Sequence, residues 1–291
     1  MTTVINWYPG HMAKAKRQIM ESIEKVDVVA EILDARIPLS SRNADFDVMF
    51  APKARLIVLN KADLADESVT QGWVDHYKQQ GFVCFSFCSV TGGNKQALFG
   101  IQEAAKGIVE KYKAKGVHKT VRVLIAGIPN VGKSAFINTL GKSARAKTGN
   151  KPGVTRGQQW VKISPYLELL DTPGILWPKL ENQMFARRLA YTGSIRDEVL
   201  PPEKLCERLI GELIERYPNA IKTAYGVTNL DDDAYKVMQE ICYKRHFIQQ
   251  GGETDMRRCA EVVLHEYRAG KLGRMTLDRL NDLSTPTEAG E

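Results

Sequence analysis

The sequence predicts an α/β protein: a doubly wound, mostly parallel sheet followed by an all-α C-terminal domain. Three observations predict it. Short apolar runs rich in Val, Ile and Phe recur between residues 26 and 126, as buried parallel strands do. Polar segments of helical length separate them, and this alternation is the pattern of a doubly wound sheet. After Pro178 the strand-like runs stop and helical spacing takes over.

Taken in order, the basic segment Met12–Lys25 reads as a helix, and Val26–Leu33 (VDVVAEIL) as the first strand. Ala54–Leu59, Gly81–Ser86 and Val121–Ala126 are further strands, with helices over Asp66–Gln80 and Asn94–Lys115 between them. The second of these carries Leu98, Ile101, Ala105, Ile108 and Val109 at helical spacing. Gln158–Ile163 and Tyr166–Leu170 meet across Ser164–Pro165, so a hairpin should place one antiparallel strand at a sheet edge. Gln183–Ile195, Pro202–Tyr217, Asp231–Gln249 and Asp255–Ala269 form the helical part. Pro201–Pro202 suits a helix start, and Gly270 with Gly273 a helix end. From Ser284 onward a frayed tail is expected. The expected boundaries are therefore 1–178 and 179–291.

A chain of 291 residues is long enough for two domains. Its 43% hydrophobic and 26% charged residues exclude collagen-like, low-complexity and wholly disordered classes. No run approaches the roughly 18 apolar residues of a membrane helix, and the first residues lack a signal-peptide pattern. A cytoplasmic protein is expected. The five cysteines (Cys84, Cys88, Cys206, Cys242, Cys259) show no metal-ligand spacing and read as small buried hydrophobes. The net charge of +7 is uneven: residues 1–179 carry 25 basic and 15 acidic side chains, residues 180–291 carry 16 and 19. Basic clusters at Lys14–Arg17, Lys106–Arg122 and Lys142–Lys162 suit either a polyanionic partner or a solubilising surface.

Gly127-Ile-Pro-Asn-Val-Gly-Lys-Ser134 follows a strand and precedes a helix, the context a P-loop requires. Its backbone from Asn130 through Val131 and Gly132 to Ala135 should cradle phosphates at a helix N-terminus. Lys133 should reach the β and γ phosphates, and the Ser134 hydroxyl should ligate Mg²⁺. Asn60-Lys-Ala-Asp63 ends a strand, where doubly wound folds place ligand contacts. Asp63 can accept from guanine N1–H and the 2-amino group, and with adenine it would be left buried and unpaired. Asn60 is expected on the other edge of the base and the stem of Lys61 across its face. Asp171-Thr-Pro-Gly174 supplies a carboxylate for Mg²⁺ and, at Gly174, an amide for the γ-phosphate. Thr155, in Lys151-Pro-Gly-Val-Thr-Arg156, is the natural second hydroxyl for Mg²⁺. Cys88-Ser89-Val90 could close over the guanine carbonyl.

These are the five pieces of a GTPase in the order four, five, one, two, three. A circular permutation of a P-loop GTPase explains that order, because the termini of compact domains are often close enough to be rejoined. The chain then leaves the sheet directly after the DTPG switch. The sequence resembles the circularly permuted GTPases that assist ribosome assembly. Besides the nucleotide motifs, the resemblance rests on Trp7-Tyr-Pro-Gly-His-Met12, Asp34-Ala-Arg-Ile-Pro38, Asn150-Lys-Pro-Gly-Val-Thr155 with Gly157-Gln-Gln-Trp160, and Arg268-Ala-Gly-Lys-Leu-Gly273. It implies a monomeric factor that hydrolyses GTP to GDP late in maturation of the large ribosomal subunit or its precursor. It also implies a helical C-terminal domain in contact with ribosomal RNA.

Ile175 follows DTPG and cannot orient water, so another group must do so when the particle stimulates hydrolysis. His11 is the candidate; the alternatives are packing beside the basic helix or contact with RNA. Asn130 either helps hold K⁺ beside the phosphates or simply favours a tight turn. The rival functions are a metabolic P-loop enzyme for a small molecule and an RNA-binding scaffold with a structural nucleotide site.

Overall fold

The computed structural model describes residues 11–142, 159–176, 182–195, 200–230 and 233–284. They fall into two compact units, 11–176 and 182–284.

The first unit is built on a six-stranded sheet. Its strands are β1 (Val28–Asp34), β2 (Ala54–Asn60), β3 (Val83–Ser86), β4 (Val121–Ala126), β5 (Gln159–Ser164) and β6 (Leu167–Asp171), in the order β3-β2-β1-β4-β6-β5. All seven residues of β1 are buried, which is why the sequence there is mostly apolar and not alternating, with Glu31 and Asp34 as its buried charges. Five strands are parallel, with Val28 opposite both Ala54 and Val123; β5 alone is antiparallel, pairing Gln159 with Asp171 at the edge. The connections turn opposite ways on the two sides of β1 and β4, which creates a crevice beyond their carboxyl ends. Asp34 and the P-loop emerge there.

Five helices accompany the sheet: α1 (His11–Ile23), α2 (Asp45–Met49), α3 (Glu67–Gln79), α4 (Asn94–Lys113) and α5 (Lys133–Lys142). Asp66 caps α3 by accepting from the Ser68 and Val69 amides. One core cluster joins Ile19 and Ile23 of α1 with Phe46, Phe50, Leu124, Leu170 and Ile175. Another packs Trp73, Val74 and Tyr77 of α3 against Leu33, Ile57 and Leu59.

The second unit contains α6 (Gln183–Tyr191), α7 (Pro202–Arg216), α8 (Pro218–Tyr225), α9 (Ala234–Lys244) and α10 (Met256–Arg268), with α7 packed against the other four. Arg188 of α6 is its buried hub, donating to Glu212, Asp278 and Asp282 at 2.8 Å each. Arg268 ends α6 by donating to the Tyr191 and Ala190 carbonyls at 2.9 and 2.8 Å. Those two bonds give the arginine of Arg268-Ala-Gly-Lys-Leu-Gly273 a structural job.

Four elements differ from the sequence expectation. The helix expected over Gln183–Ile195 ends at Tyr191, with Gly193 at a left-handed φ of 73° just beyond it. The five residues of α2 are too few to show a period. Pro218 both stops α7, lacking an amide to donate, and opens α8 at its first position. The expected helix over Asp231–Gln249 ends at Lys244, because His246 takes a left-handed φ of 56° and the chain folds back to pair Ile248 with Thr254. Cys84, Cys206, Cys242 and Cys259 are buried free thiols; burial pushes the Cys84 thiol up to about 12. Among the described residues no helix is long and apolar enough to cross a membrane. The tail after Ser284 lies outside the described residues.

Candidate functional site

Between β4 and α5 the chain turns through backbone geometry that side chains would obstruct. Gly127 has a φ of 144°, and a Cβ there would lie 2.5 Å from the Ile32 carbonyl oxygen. Gly132 has a φ of 94°, and its Cβ would meet the Asn60 side-chain nitrogen at 2.3 Å. Both glycines are therefore forced, by close approach as well as by φ. Asn130 takes a left-handed φ of 61° and is exposed, whereas Val131 is fully buried. Lys133 opens α5 and turns back, its Nζ donating to the Ile128 and Gly127 carbonyls at 2.8 and 3.2 Å. Burial lowers its pKa; Asp171 works the other way, Lys61 adds to the lowering, and the ammonium titrates at about 8.

The strand end carrying Asn60 and Lys61 is laced directly to this loop. Asn60 Nδ2 donates to the Val131 carbonyl at 2.8 Å, and its Oδ1 accepts from Ser89 Oγ at 2.9 Å. These are protein partners of Asn60 besides the base edge expected of it. The amide is buried and bridges three loops, so Asn60 sets their spacing. Lys61, at a φ of 60°, donates from Nζ to the Asn130 carbonyl at 2.6 Å. Asp63 sits exposed in the short turn Ala62–Leu64, which hangs from the Phe87 carbonyl through the Ala62 amide. Cys88 Sγ accepts from the Thr91 amide at 3.4 Å, and the Ser89 carbonyl accepts from Thr139 of α5 at 3.0 Å.

The third loop closes the group. Ser134 Oγ donates to Asp171 Oδ2 at 3.2 Å, so the two expected Mg²⁺ ligands with described side chains are neighbours. A Cβ on Gly174 would lie 2.6 Å from the Pro129 nitrogen, which brings this backbone against the P-loop. Ile175 donates its amide to the Gly127 carbonyl at 3.3 Å and turns its side chain into the core, only 3% exposed.

Comparison with known proteins identifies the chain. The profile of the 50S ribosome-binding GTPase family matches residues 122–217. Ribosome biogenesis GTPase A of Bacillus cereus is 43% identical over 290 residues, covering 99% of this chain and 96% of that protein. The chain belongs to the ribosome biogenesis GTPase A family. Solved structures of YlqF agree: the GNP-bound form from T. maritima aligns at a TM-score of 0.64 with 29% identity, over 91% of this chain and 98% of that one. The GDP-bound form aligns at 0.66 with 28% identity, over 91% of this chain and all of that one. As a member of this GTPase family the chain hydrolyses GTP, on a circularly permuted P-loop GTPase fold.

Within this member of the ribosome biogenesis GTPase A family, the structure also joins residues to which sequence reasoning gave no role. Asp34 ends β1 fully buried. One oxygen accepts from Arg36 Nε at 2.9 Å; the other accepts from Arg36 Nη2 at 2.7 Å and from Lys61 Nζ at 2.9 Å. Burial alone would raise this carboxyl, yet Arg36 and Lys61 outweigh it and hold it well below the ordinary carboxylate range. Asp34, Lys61 and the Asn130 carbonyl thus form a bridge from β1 to the P-loop. An Asp and an Arg two positions apart, where a strand ends at the switch point, were the available signal. Asn43 Nδ2 reaches the Ile175 carbonyl at 3.5 Å. Thr155 and the side chain of His11 lie outside the described residues.

Proposed function

We propose that this GTPase is a nucleotide-driven switch in assembly of the large ribosomal subunit, stimulated by the ribosomal particle. Residues 1–178 act as the G domain and residues 179–291 as a helical domain in contact with ribosomal RNA, the whole a cytoplasmic monomer. The name of the Bacillus cereus relative and the description of the matched family support the partner. The observation that carries the nucleotide reading is the joining of loops about 70 residues apart in sequence: Asn60 to Val131 and Lys61 to Asn130.

In this reading Lys133 leaves its two carbonyls for the β and γ phosphates, and the amides from Asn130 to Ala135 surround them. Ser134, Asp171 and Thr155 hold Mg²⁺, which supplies charge neutralisation when bound; the 3.2 Å contact between the first two fits that role. The Gly174 amide meets the γ-phosphate. Asp63 reads guanine, Lys61 covers the ring, and the Cys88–Ser89 backbone faces the carbonyl edge. Asn130 assists a K⁺ ion beside the phosphates. With Ile175 buried, His11 orients the attacking water. It opens α1, whose Ile19 and Ile23 share a core cluster with Ile175, and this supports the role.

The test is Asp63→Asn, which exchanges an acceptor oxygen for a donor. Affinity for GTP should fall by at least tenfold while xanthosine triphosphate, with an acceptor at C2, gains. An unchanged preference in competition titration overturns the guanine assignment. For the partner, GTP turnover should rise when large-subunit precursors are added, and His11→Ala should lose that rise while keeping affinity for nucleotide and particle.

A further inference from the structure

At the opposite end of the sheet, where β4 and β6 begin, lies a groove of about 850 Å³. Its floor is apolar and buried: Ile101 and Ala105 of α4, Val121 of β4 and Leu167 of β6. Lys106 and Lys113, two turns apart on one side of α4, stand on its rim with His118, Lys119 and Tyr166. The segment from Lys106 to Lys119 holds five lysines against one acid, Glu110. Lys106, Lys111, Lys113 and Lys115 are exposed, with no ion pair among the described residues.

Aromatic rings are interleaved with this charge. Tyr166 is 59% exposed, its ring 6.2 Å from that of His118. Lys119 Nζ lies 5.2 Å from the exposed Tyr112 ring. On edge strand β5, Trp160 is 41% exposed beneath Arg122 at 5.4 Å. A merely solubilising face gains nothing by exposing large rings. An acidic peptide could use the lysines, but it offers no flat groups to stack. Single-stranded nucleic acid uses both, phosphates on the cations and bases on the ring faces.

We propose that this groove is a second RNA site, taking a single-stranded segment whose bases stack on Tyr166 in the groove and on Tyr112 beside it, and whose phosphates meet Lys106 and Lys113. The partner class rests on the reading above; the location does not, since that reading places RNA on the helical unit. The site lies at the end of the sheet remote from the P-loop.

The experiment titrates the full chain into a labelled 12-nucleotide oligouridine RNA, followed by fluorescence anisotropy at several salt concentrations. K106E/K113E should weaken binding at least tenfold and reduce the salt slope by about 1.4, two phosphate contacts at about 0.7 each on a single strand. Tyr166→Ala should weaken it about tenfold with little change in slope, and Tyr166→Phe should restore it. Basal GTP turnover and melting temperature should match the parent in all three. Parent-like affinity in both K106E/K113E and Tyr166→Ala overturns the proposal, as does a polyglutamate peptide that competes as well as RNA. Co-sedimentation with large-subunit precursors keeps the two readings apart. A parent that never sediments removes the ribosomal reading, whereas a parent and K106E/K113E that sediment equally remove only this site.

Discussion

Arg188 in the helical unit and Lys133 in the G unit are both cations taken out of water, and they are satisfied in opposite ways. Burial works against the Arg188 charge, but Asp278 and Glu212 more than offset it, with Asp282 adding a hydrogen bond, so its pKa is raised. Lys133 donates to two backbone carbonyls, and its pKa falls to about 8. Removing an ion from water costs several kcal/mol, and carbonyl dipoles offset less of that than carboxylates do. Arg188 is complete within the protein and staples it; Lys133 is left with a deficit that an anion would relieve. The Asp34–Arg36–Lys61 group of the G unit is the intermediate case, fully paired yet reaching the P-loop through Lys61.

The largest effect should come from breaking the complete case. Arg188→Ala leaves Glu212, Asp278 and Asp282 facing one another without their cation, which should destabilise the helical unit by about 3–5 kcal/mol. Urea unfolding should show the loss while calorimetric GDP affinity stays within twofold of the parent. A matching loss of affinity would mean that the two cations do not divide structure from ligand binding.

The same contrast explains what could be read from the sequence. Lys133 was legible because a P-loop is a local string in a strand–loop–helix setting, and β1, β2 and β4 were legible because buried parallel strands are mostly apolar, each here carrying only one or two polar residues. Arg188 was not, since its partners lie 24, 90 and 94 residues away. Asn60 shows the limit within a motif: its type and place were evident, but its partner 71 residues on was not. Ile175 was recognised as unable to orient water, yet only the fold shows it packed among Ile19, Phe46 and Phe50. Replacing it by glutamine would bury an amide rather than deliver one to the site.

Asp34→Asn tests the intermediate case. An amide keeps the shape but removes the charge that anchors Arg36 and Lys61, so the protein should lose about 2 kcal/mol at pH 7. GDP should bind about tenfold more weakly, because Lys61 no longer holds the Asn130 carbonyl in place. The pH dependence has a definite sign. Arg36 and Lys61 hold the folded carboxyl well below its ordinary value, so its stabilisation is complete above about pH 4, the unfolded value, and fades as the pH falls further. Parent and variant should therefore converge in unfolding experiments run in acid. A constant gap down to pH 3 would mean that the carboxylate charge is not what stabilises the bridge.

The smallest effect, and the one that isolates Lys133, needs no substitution in the first experiment. With the free ammonium titrating at about 8, nucleotide binding above that pH must take up a proton, because phosphates favour the charged form. GDP affinity should then fall about tenfold between pH 7 and pH 9, and calorimetry in buffers of different ionisation enthalpy should count up to one proton absorbed at the upper end. Stability of the nucleotide-free protein should move the other way. Between about pH 8 and the unfolded lysine value near 10.4, the unfolded chain holds more protons than the folded one, so stability rises with pH. Lys133→Arg remains charged throughout and should flatten both trends, leaving only titration of the nucleotide itself. Arg188 predicts no feature in this window, being charged and paired at every pH reached. A GDP affinity that is flat from pH 7 to pH 9 in the parent would show that the buried ammonium does not carry the phosphates, and the contrast between the two cations would lose its functional half.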